Sequence, residues 1–259
     1  MDIQDLLRLT TPDGISITPM SEEQRQADRI RALNATPGQL KYVDCPICLN
    51  RGFTVSMNDE GNIVTRRCSC MAKRRSMQRI ASSGLSDILG RYTLDAYAVT
   101  DRDTELVKRA AQDFIGKNSG WFFICGKPGS GKTHICTAIC GELMARGREL
   151  RYMLWRETAP RLKALVNERE EYEHTMDELK SIEVLYIDDF LKGTVTDADI
   201  NIAFELLNAR YNSAEKITII STEKNLGKII DIDEAIGSRI YERSRGFCLK
   251  APGVNRRLE

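Results

Sequence analysis

Gly126-Lys127-Pro128-Gly129-Ser130-Gly131-Lys132-Thr133 is the stretch that decides the fold. Glycines stand at 126, 129 and 131, and lysine followed by a hydroxyl residue closes the run, which is the eight-residue Walker A spacing. The apolar run Trp121 to Cys125 before it reads as a strand, and Ile135, Ile139 and Leu143 after it share one face of a helix. A glycine-rich turn between strand and helix lets successive main-chain N–H groups converge at the positive helix end, forming a cradle for a polyphosphate. Gly126, Pro128, Gly129, Ser130, Gly131, Lys132 and Thr133 are therefore the expected nucleotide-binding residues. Lys132 is expected to reach the β- and γ-phosphates, and the Thr133 hydroxyl to ligate magnesium (Mg2+), which prefers hard oxygen donors.

Working outward, Leu150 to Trp155, Val184 to Ile187, Ile217 to Ile220 and Phe247 to Leu249 are further apolar runs separated by helical patterns. Together with Trp121 to Cys125 they predict an α/β fold of the P-loop NTPase kind, a five-stranded parallel sheet flanked by helices. The charged stretch Thr158 to Lys180 reads as one solvent-exposed helix. Asp188 and Asp189 end the third strand at the sheet edge beside the phosphate loop. Asp188 is expected to hold magnesium and Asp189 to polarise an attacking water; the alternative is a turn bearing two solvated acids. No Asn-Lys-x-Asp element of the guanine-specific kind occurs, so ATP is preferred to GTP. After the fourth strand, Thr222 is the expected γ-phosphate sensor with Asn225 behind it, unless these groups cap the next helix.

Near the C-terminus, Arg239 and Arg243 are one helical turn apart. Arg243, with Arg239 beside it, is a candidate arginine finger for a neighbouring subunit's phosphates, which would couple hydrolysis to self-association into an oligomer. The other reading of the pair is a solvated basic helix face.

Toward the N-terminus, Cys45-Pro46-Ile47-Cys48 is a two-residue metal knuckle, and Cys68-Ser69-Cys70 follows across the turn-prone Asn58-Asp59-Glu60-Gly61-Asn62. Cys45, Cys48, Cys68 and Cys70 are the expected ligands of a structural zinc ion (Zn2+), with free thiols or a redox pair as the alternative. The single residue between Cys68 and Cys70 is tighter than the usual spacing. The acid-free stretch Arg66 to Arg79 suits nucleic-acid phosphates or a solvated helix face. Before the cysteines, Ser21 reads as the N-cap of a polar helix to Leu33. Ser82-Ser83-Gly84 reads as a break, so the chain divides into an N-terminal interaction and zinc-binding module, 1–82, and an ATPase domain, 83–259.

Composition is consistent with this. The 259 residues carry 38 Lys and Arg against 37 Asp and Glu, so no polyanion partner follows from net charge. No apolar run approaches the ~20 residues of a membrane-spanning helix, and Met1 to Thr11 lacks a basic start and apolar core. A cytoplasmic protein without a membrane partner is expected, and in that compartment crowded cysteines suggest metal rather than disulfides.

The order of cysteine cluster, Ser-Gly linker, Walker A, Asp-Asp Walker B and Gly-x-Arg-x-x-x-Arg resembles that of the DnaC/DnaI-type helicase loaders, AAA+ ATPases of bacteria and phages. The resemblance covers residues 45–259, and the IstB-like transposition helpers are similar in the ATPase core. It implies an AAA+ fold with the fourth strand between the first and third. It also implies ATP hydrolysis, slow and stimulated by partner or DNA, with Arg243 as the finger. The implied partners are a hexameric DnaB-type replicative helicase, engaged by the N-terminal module, and single-stranded DNA. Asp189 stands where many AAA+ proteins carry Glu, and with ten residues after Leu249 an α-helical lid is not expected.

Overall fold

The computed structural model describes residues 9–10, 16–17, 20–81 and 86–253. By internal contact the chain forms two compact units, 1–71 and 72–259. The expected break at Ser82-Ser83-Gly84 and the expected boundary after 82 fall outside the described residues. Within the larger unit, the helix that ends at Ala81 is already anchored: Ser76 Oγ accepts from the Leu150 N–H at 2.8 Å, Arg75 is ion-paired with Glu149, and Ile80 is buried.

In the smaller unit, helix α1 (Glu22–Ala35) starts as expected at Ser21, whose hydroxyl accepts from the Gln24 N–H while the Gln24 side chain accepts from the Ser21 N–H. This reciprocal bonding satisfies two of the donors that a helix start leaves open. No α1 side chain is buried. The helix is held instead by Asn34, which donates to Val55 O at 2.8 Å and accepts from the Val55 N–H at 3.0 Å, and by Arg51, which bonds the Leu33 and Asn34 carbonyls. Val55 lies on β1 (Phe53–Met57), which pairs antiparallel with β2 (Ile63–Arg67). The turn between them closes where Asn58 Oδ1 accepts from the N–H groups of Glu60 and Asn62. A further antiparallel pair joins Leu9–Thr10 to Ser16–Ile17.

The larger unit contains the expected five-stranded parallel sheet. Its strands are β3 (Trp121–Cys125), β4 (Leu150–Leu154), β5 (Val184–Asp188), β6 (Ile217–Thr222) and β7 (Cys248–Lys250), in the spatial order β4-β5-β6-β3-β7. The fourth strand of the sheet therefore lies between the first and third. Every residue of β3, β5 and β6 is buried, as a sheet covered on both faces requires. Alternation divides their side chains: Phe122, Ile124, Tyr186 and Ile219 enter one core cluster, and Trp121, Phe123, Ile187 and Ile220 the other.

Helix α2 (Cys70–Ala81) supplies Ile80 to the first cluster, as do α3 (Arg102–Lys117) and α4 (Lys132–Ala145) through Phe114, Ile135 and Ile139. The opposite face carries α5 (Trp155–Ala164), α6 (Arg169–Ser181), α7 (Asp197–Tyr211), α8 (Leu226–Ile232) and α9 (Glu234–Arg243). The single exposed helix expected over Thr158 to Lys180 is two helices, α5 and α6, joined by a 3-10 turn at Leu165–Asn167. Glu168 leaves helical geometry with ψ 73°, and Leu162, Met176 and Leu179 enter the core, so only part of the segment faces solvent.

Arg210, at the end of α7, is fully buried, and among the described residues no carboxylate pairs with it. Its guanidinium donates to Thr218 Oγ1 at 2.9 Å and to the carbonyls of Leu179, Ile182 and Ile217 at 3.0, 2.8 and 2.7 Å. One side chain thus ties α7 to the end of α6 and to the starts of β5 and β6. Burial pulls its pKa down to about 9, still above neutrality, so the donors stay charged.

Candidate functional site

A cavity of about 260 Å³ opens at the C-terminal strand ends, lined by Pro128 to His134, Tyr92, Tyr97, Asp189, Lys192 and Glu223. This is the sheet edge at which α/β folds bind ligands. Gly131 begins α4 with φ 86° and no side-chain cap, and Gly129 has φ 76°. The first-turn N–H groups of α4 are thus presented to an anion. A Cβ on Gly131 would lie 3.3 Å from the Tyr97 ring, a second reason for glycine there.

Lys132 is buried within the loop, its Nζ 2.8 Å from both Gly126 O and Lys127 O. Burial lowers its pKa, opposed by the charges of Glu223, Asp189 and Asp188. Ser130 Oγ donates to Lys127 O at 2.8 Å and helps close the turn. Thr133 Oγ1 stands 3.5 Å from both carboxylate oxygens of Asp188, so the residues expected to hold magnesium lie side by side.

Sequence reasoning missed how firmly Asp188 is held. Tyr152 OH on β4 donates to its Oδ2 at 3.1 Å, Ser221 Oγ on β6 donates to Oδ1, and the Asp189 N–H donates to Oδ1 at 3.1 Å. Burial, then the Asp188 charge, pushes the Tyr152 phenol up, keeping it a donor. Thr133, Asp188 and their supports make an oxygen-donor set that suits a hard divalent cation accompanying a polyphosphate.

Asp189 turns the other way. Its φ of 55° is left-handed, and its carboxylate faces the cavity, where Lys192 Nζ binds it at 3.0 Å and Glu223 at 2.8 Å. Burial lowers the Lys192 pKa, but the bonds to Glu223 and Asp189 outweigh it and hold the ammonium above the ordinary lysine value. Lys192 was also missed, the available signal being a lysine three residues after the second acid; Glu223 lies in the polar run after the fourth strand, from which Thr222 was the expected sensor. Tyr92 and Tyr97 surround the His134 ring, at centroid separations of 4.6 and 5.3 Å.

Thr222, expected to sense the γ-phosphate, is fully buried and outside the cavity lining; its hydroxyl donates to Phe190 O at 2.7 Å and accepts from the Lys224 N–H at 3.1 Å. Its neighbour Glu223 is the residue that reaches the cavity. Asn225 caps α8, accepting from the Lys228 N–H at 2.9 Å. Arg239 and Arg243 do not line the cavity of their own chain. Arg239 lies over the Phe204 and Tyr211 rings, 5.0 and 5.5 Å from their centroids, and donates to Asn208 Oδ1 at 3.1 Å. Arg243 has lighter ties, to Ser213 O at 3.1 Å and Ala214 O at 3.4 Å.

In the smaller unit Cys45, Cys48, Cys68 and Cys70 are buried, with all four sulfurs within 4.8 Å of one another. The Cys45–Cys68 and Cys48–Cys70 separations are 3.8 and 3.6 Å. A tetrahedral site with zinc–sulfur bonds of about 2.3 Å has sulfurs roughly 3.8 Å apart, so this donor set fits a zinc ion. Burial alone would raise the Cys48 thiol, but the Gly52 N–H at 3.3 Å and the neighbouring sulfurs bring it down to about 6, toward the thiolate that metals bind. The tight Cys68–Cys70 spacing works because Cys68 follows β2 and Cys70 begins α2, with the Met71 N–H closing on Cys68 O at 3.1 Å. Of the basic stretch, Arg66 and Arg67 are exposed, whereas Arg74 is buried and Arg75 pairs with Glu149. The last two do not form a free phosphate-binding face.

Comparison with known proteins places this architecture. The family described as IstB-like ATP binding protein matches residues 56–244. The phage-like element PBSX protein XkdC of Bacillus subtilis (strain 168) is 29% identical over 239 residues, 83% of this chain and 86% of its own length. The uncharacterized protein YqaM of the same organism is 29% identical over 210 residues, 75% of this chain and 66% of its own. The replicative helicase loader DnaC of Escherichia coli (strain K12) is 26% identical over 139 residues, 53% of this chain and 55% of its own. This chain therefore spans less than two thirds of the length of both YqaM and that DnaC. A crystal structure of the DnaC helicase loader matches with a TM-score of 0.55 at 21% identity, over 63% of this chain and 98% of that one. A crystal structure of DnaI matches with a TM-score of 0.51 at 20% identity, over 66% of this chain and 92% of that one. No described helix is long and apolar enough to cross a membrane. With its phosphate loop and the two acids Asp188 and Asp189 inside the matched span, this chain belongs to the IstB-like ATP-binding family.

Proposed function

We propose that this protein is an ATP-driven replicative helicase loader that binds a hexameric DnaB-type helicase and assists its placement on single-stranded DNA. The observation that carries the reading is the joining of a complete nucleotide site at the sheet edge to a four-cysteine unit in one chain. A relative named as a replicative helicase loader matches part of it. A small-molecule kinase would have little use for the cysteine unit. Thr133 and Asp188 would hold magnesium, which when bound would neutralise phosphate charge, and Asp189 would orient the hydrolytic water. Lys192 engages Asp189 Oδ2 and leaves only Oδ1 for that water, so hydrolysis by the isolated chain is slow.

Arg243 is the residue we assign to a neighbouring subunit's phosphates, with Arg239 holding the helix beneath it through its two rings. Arg243→Ala is expected to leave ATP affinity within about 2-fold and to lower hydrolysis by the assembled protein about 10³-fold. Phosphate release at a concentration where the oligomer is seen by light scattering checks this; normal turnover there would remove the assignment.

Zinc in the four-cysteine site supplies the folding energy that a small unit with little apolar core lacks. Purified protein is expected to contain about one zinc per chain by mass spectrometry of the metal, four thiolates closing one tetrahedral site. A chelator should then make Arg66 and Arg67 sensitive to trypsin while the ATPase unit keeps its melting transition.

The whole reading is tested by purifying the tagged chain from its native host with ATP and magnesium and identifying bound proteins. Recovery of a hexameric helicase supports it; a transposase, with preference for duplex DNA, would make the protein an IstB-like transposition helper.

A further inference from the structure

We propose that Lys192 reads the terminal phosphate of the nucleotide and sets the preference for ATP over ADP, an inference that rests on the nucleotide-site reading above. Lys192 lies in the turn after β5, with Nζ 3.0 Å from Asp189 Oδ2 and 2.8 Å from Glu223 Oε1. All three side chains line the same cavity as the phosphate loop. An ammonium has three N–H donors, and bonds to two carboxylates leave one for a phosphate oxygen.

The turn that presents it is tightly specified. Asp189 and Leu191 are both left-handed, with φ of 55° and 52°, a conformation that costs free energy in residues other than glycine and persists only where its surroundings enforce it. Here the Phe190 N–H donates to Ser221 O at 2.9 Å, the Thr222 hydroxyl donates to Phe190 O at 2.7 Å, and the Lys192 N–H closes on Asp189 O at 3.0 Å. The buried Thr222 thus fastens the turn to β6, while the next residue, Glu223, receives the lysine.

Charge balance gives the turn a purpose. Asp188, Asp189 and Glu223 place three carboxylates around the site, against the ammonium groups of Lys132 and Lys192. Lys132 is seated among the loop carbonyls, so Lys192 is the cation that offsets the two acids facing the cavity. Without it, Asp189 and Glu223 would repel an incoming polyanion. The penalty would fall hardest on the outermost phosphate, which ADP lacks.

Calorimetric titration of magnesium-loaded ADP and of a non-hydrolysable ATP analogue into wild type, Lys192→Met, Lys192→Arg and Lys192→Met/Glu223→Gln tests this. Lys192→Met should weaken the triphosphate analogue about 10–100-fold, as loss of a charged hydrogen bond does, and ADP by less than about 3-fold. Lys192→Arg should keep most of the preference, and the double variant should recover part of the lost triphosphate affinity. An unchanged ratio of the two affinities in Lys192→Met would overturn the proposal, as would a double variant no better than the single. Wild type that binds neither nucleotide would instead remove the underlying site.

Discussion

Lys132→Ala is expected to weaken ATP binding on the order of 10²–10³-fold while leaving the fold intact. Two losses combine in this figure. The buried ammonium is the cation seated within the loop, and charged hydrogen bonds to phosphate are among the stronger polar contacts. The same Nζ also holds the Gly126 and Lys127 carbonyls at 2.8 Å, so its removal frees the loop that aims the α4 N-terminus. Since the side chain lies at the cavity rather than among the apolar clusters, the melting temperature should change little. Calorimetric titration with magnesium-ATP measures the effect, and an affinity within about 3-fold of wild type would sink the role given to Lys132.

The second large effect is on stability. Arg210→Ala should destabilise the larger unit by ~3–5 kcal/mol, the upper range for breaking a buried hydrogen-bond network and leaving several acceptors unsatisfied. The guanidinium satisfies the carbonyls of Leu179, Ile182 and Ile217 together with Thr218 Oγ1, and alanine would leave these buried acceptors without their donors. Arg210→Lys should recover only part, since an ammonium cannot span the same directions as a planar fork. Denaturant unfolding of both variants measures this; a loss below about 1 kcal/mol for alanine would place the arginine outside the energetics of the fold.

The phosphate loop and β5 were legible in the sequence because each is a local pattern: a glycine spacing between an apolar strand and a helix, and an apolar run ending in acids. The face to which each strand residue points was not. Helix α4 packs on the face that bears Ile219 and Tyr186, and two residues on from each, Ser221 and Asp188 point the same way. Thr222, one position further, therefore enters the opposite side and meets Phe190. Choosing Thr222 over Ser221 or Glu223 required knowing which face α4 covers, and spacing does not reveal that. Lys192 was hidden for a similar reason, because the left-handed geometry at Asp189 and Leu191 that folds it back involves no glycine. Arg210 carries no local signal in the sequence, and only the convergence of three elements reveals its burial.

The attachment of α1 has its own consequence. Among the described residues, the hydrogen bonds of Asn34 and Arg51 hold a helix that buries no side chain, and water can replace each of those bonds. Backbone amides of α1 should therefore exchange with deuterated solvent by local opening, long before those of β3 or β5, whose release requires disruption of the whole sheet. The N-terminal helix can then let go and re-form while the nucleotide domain stays folded.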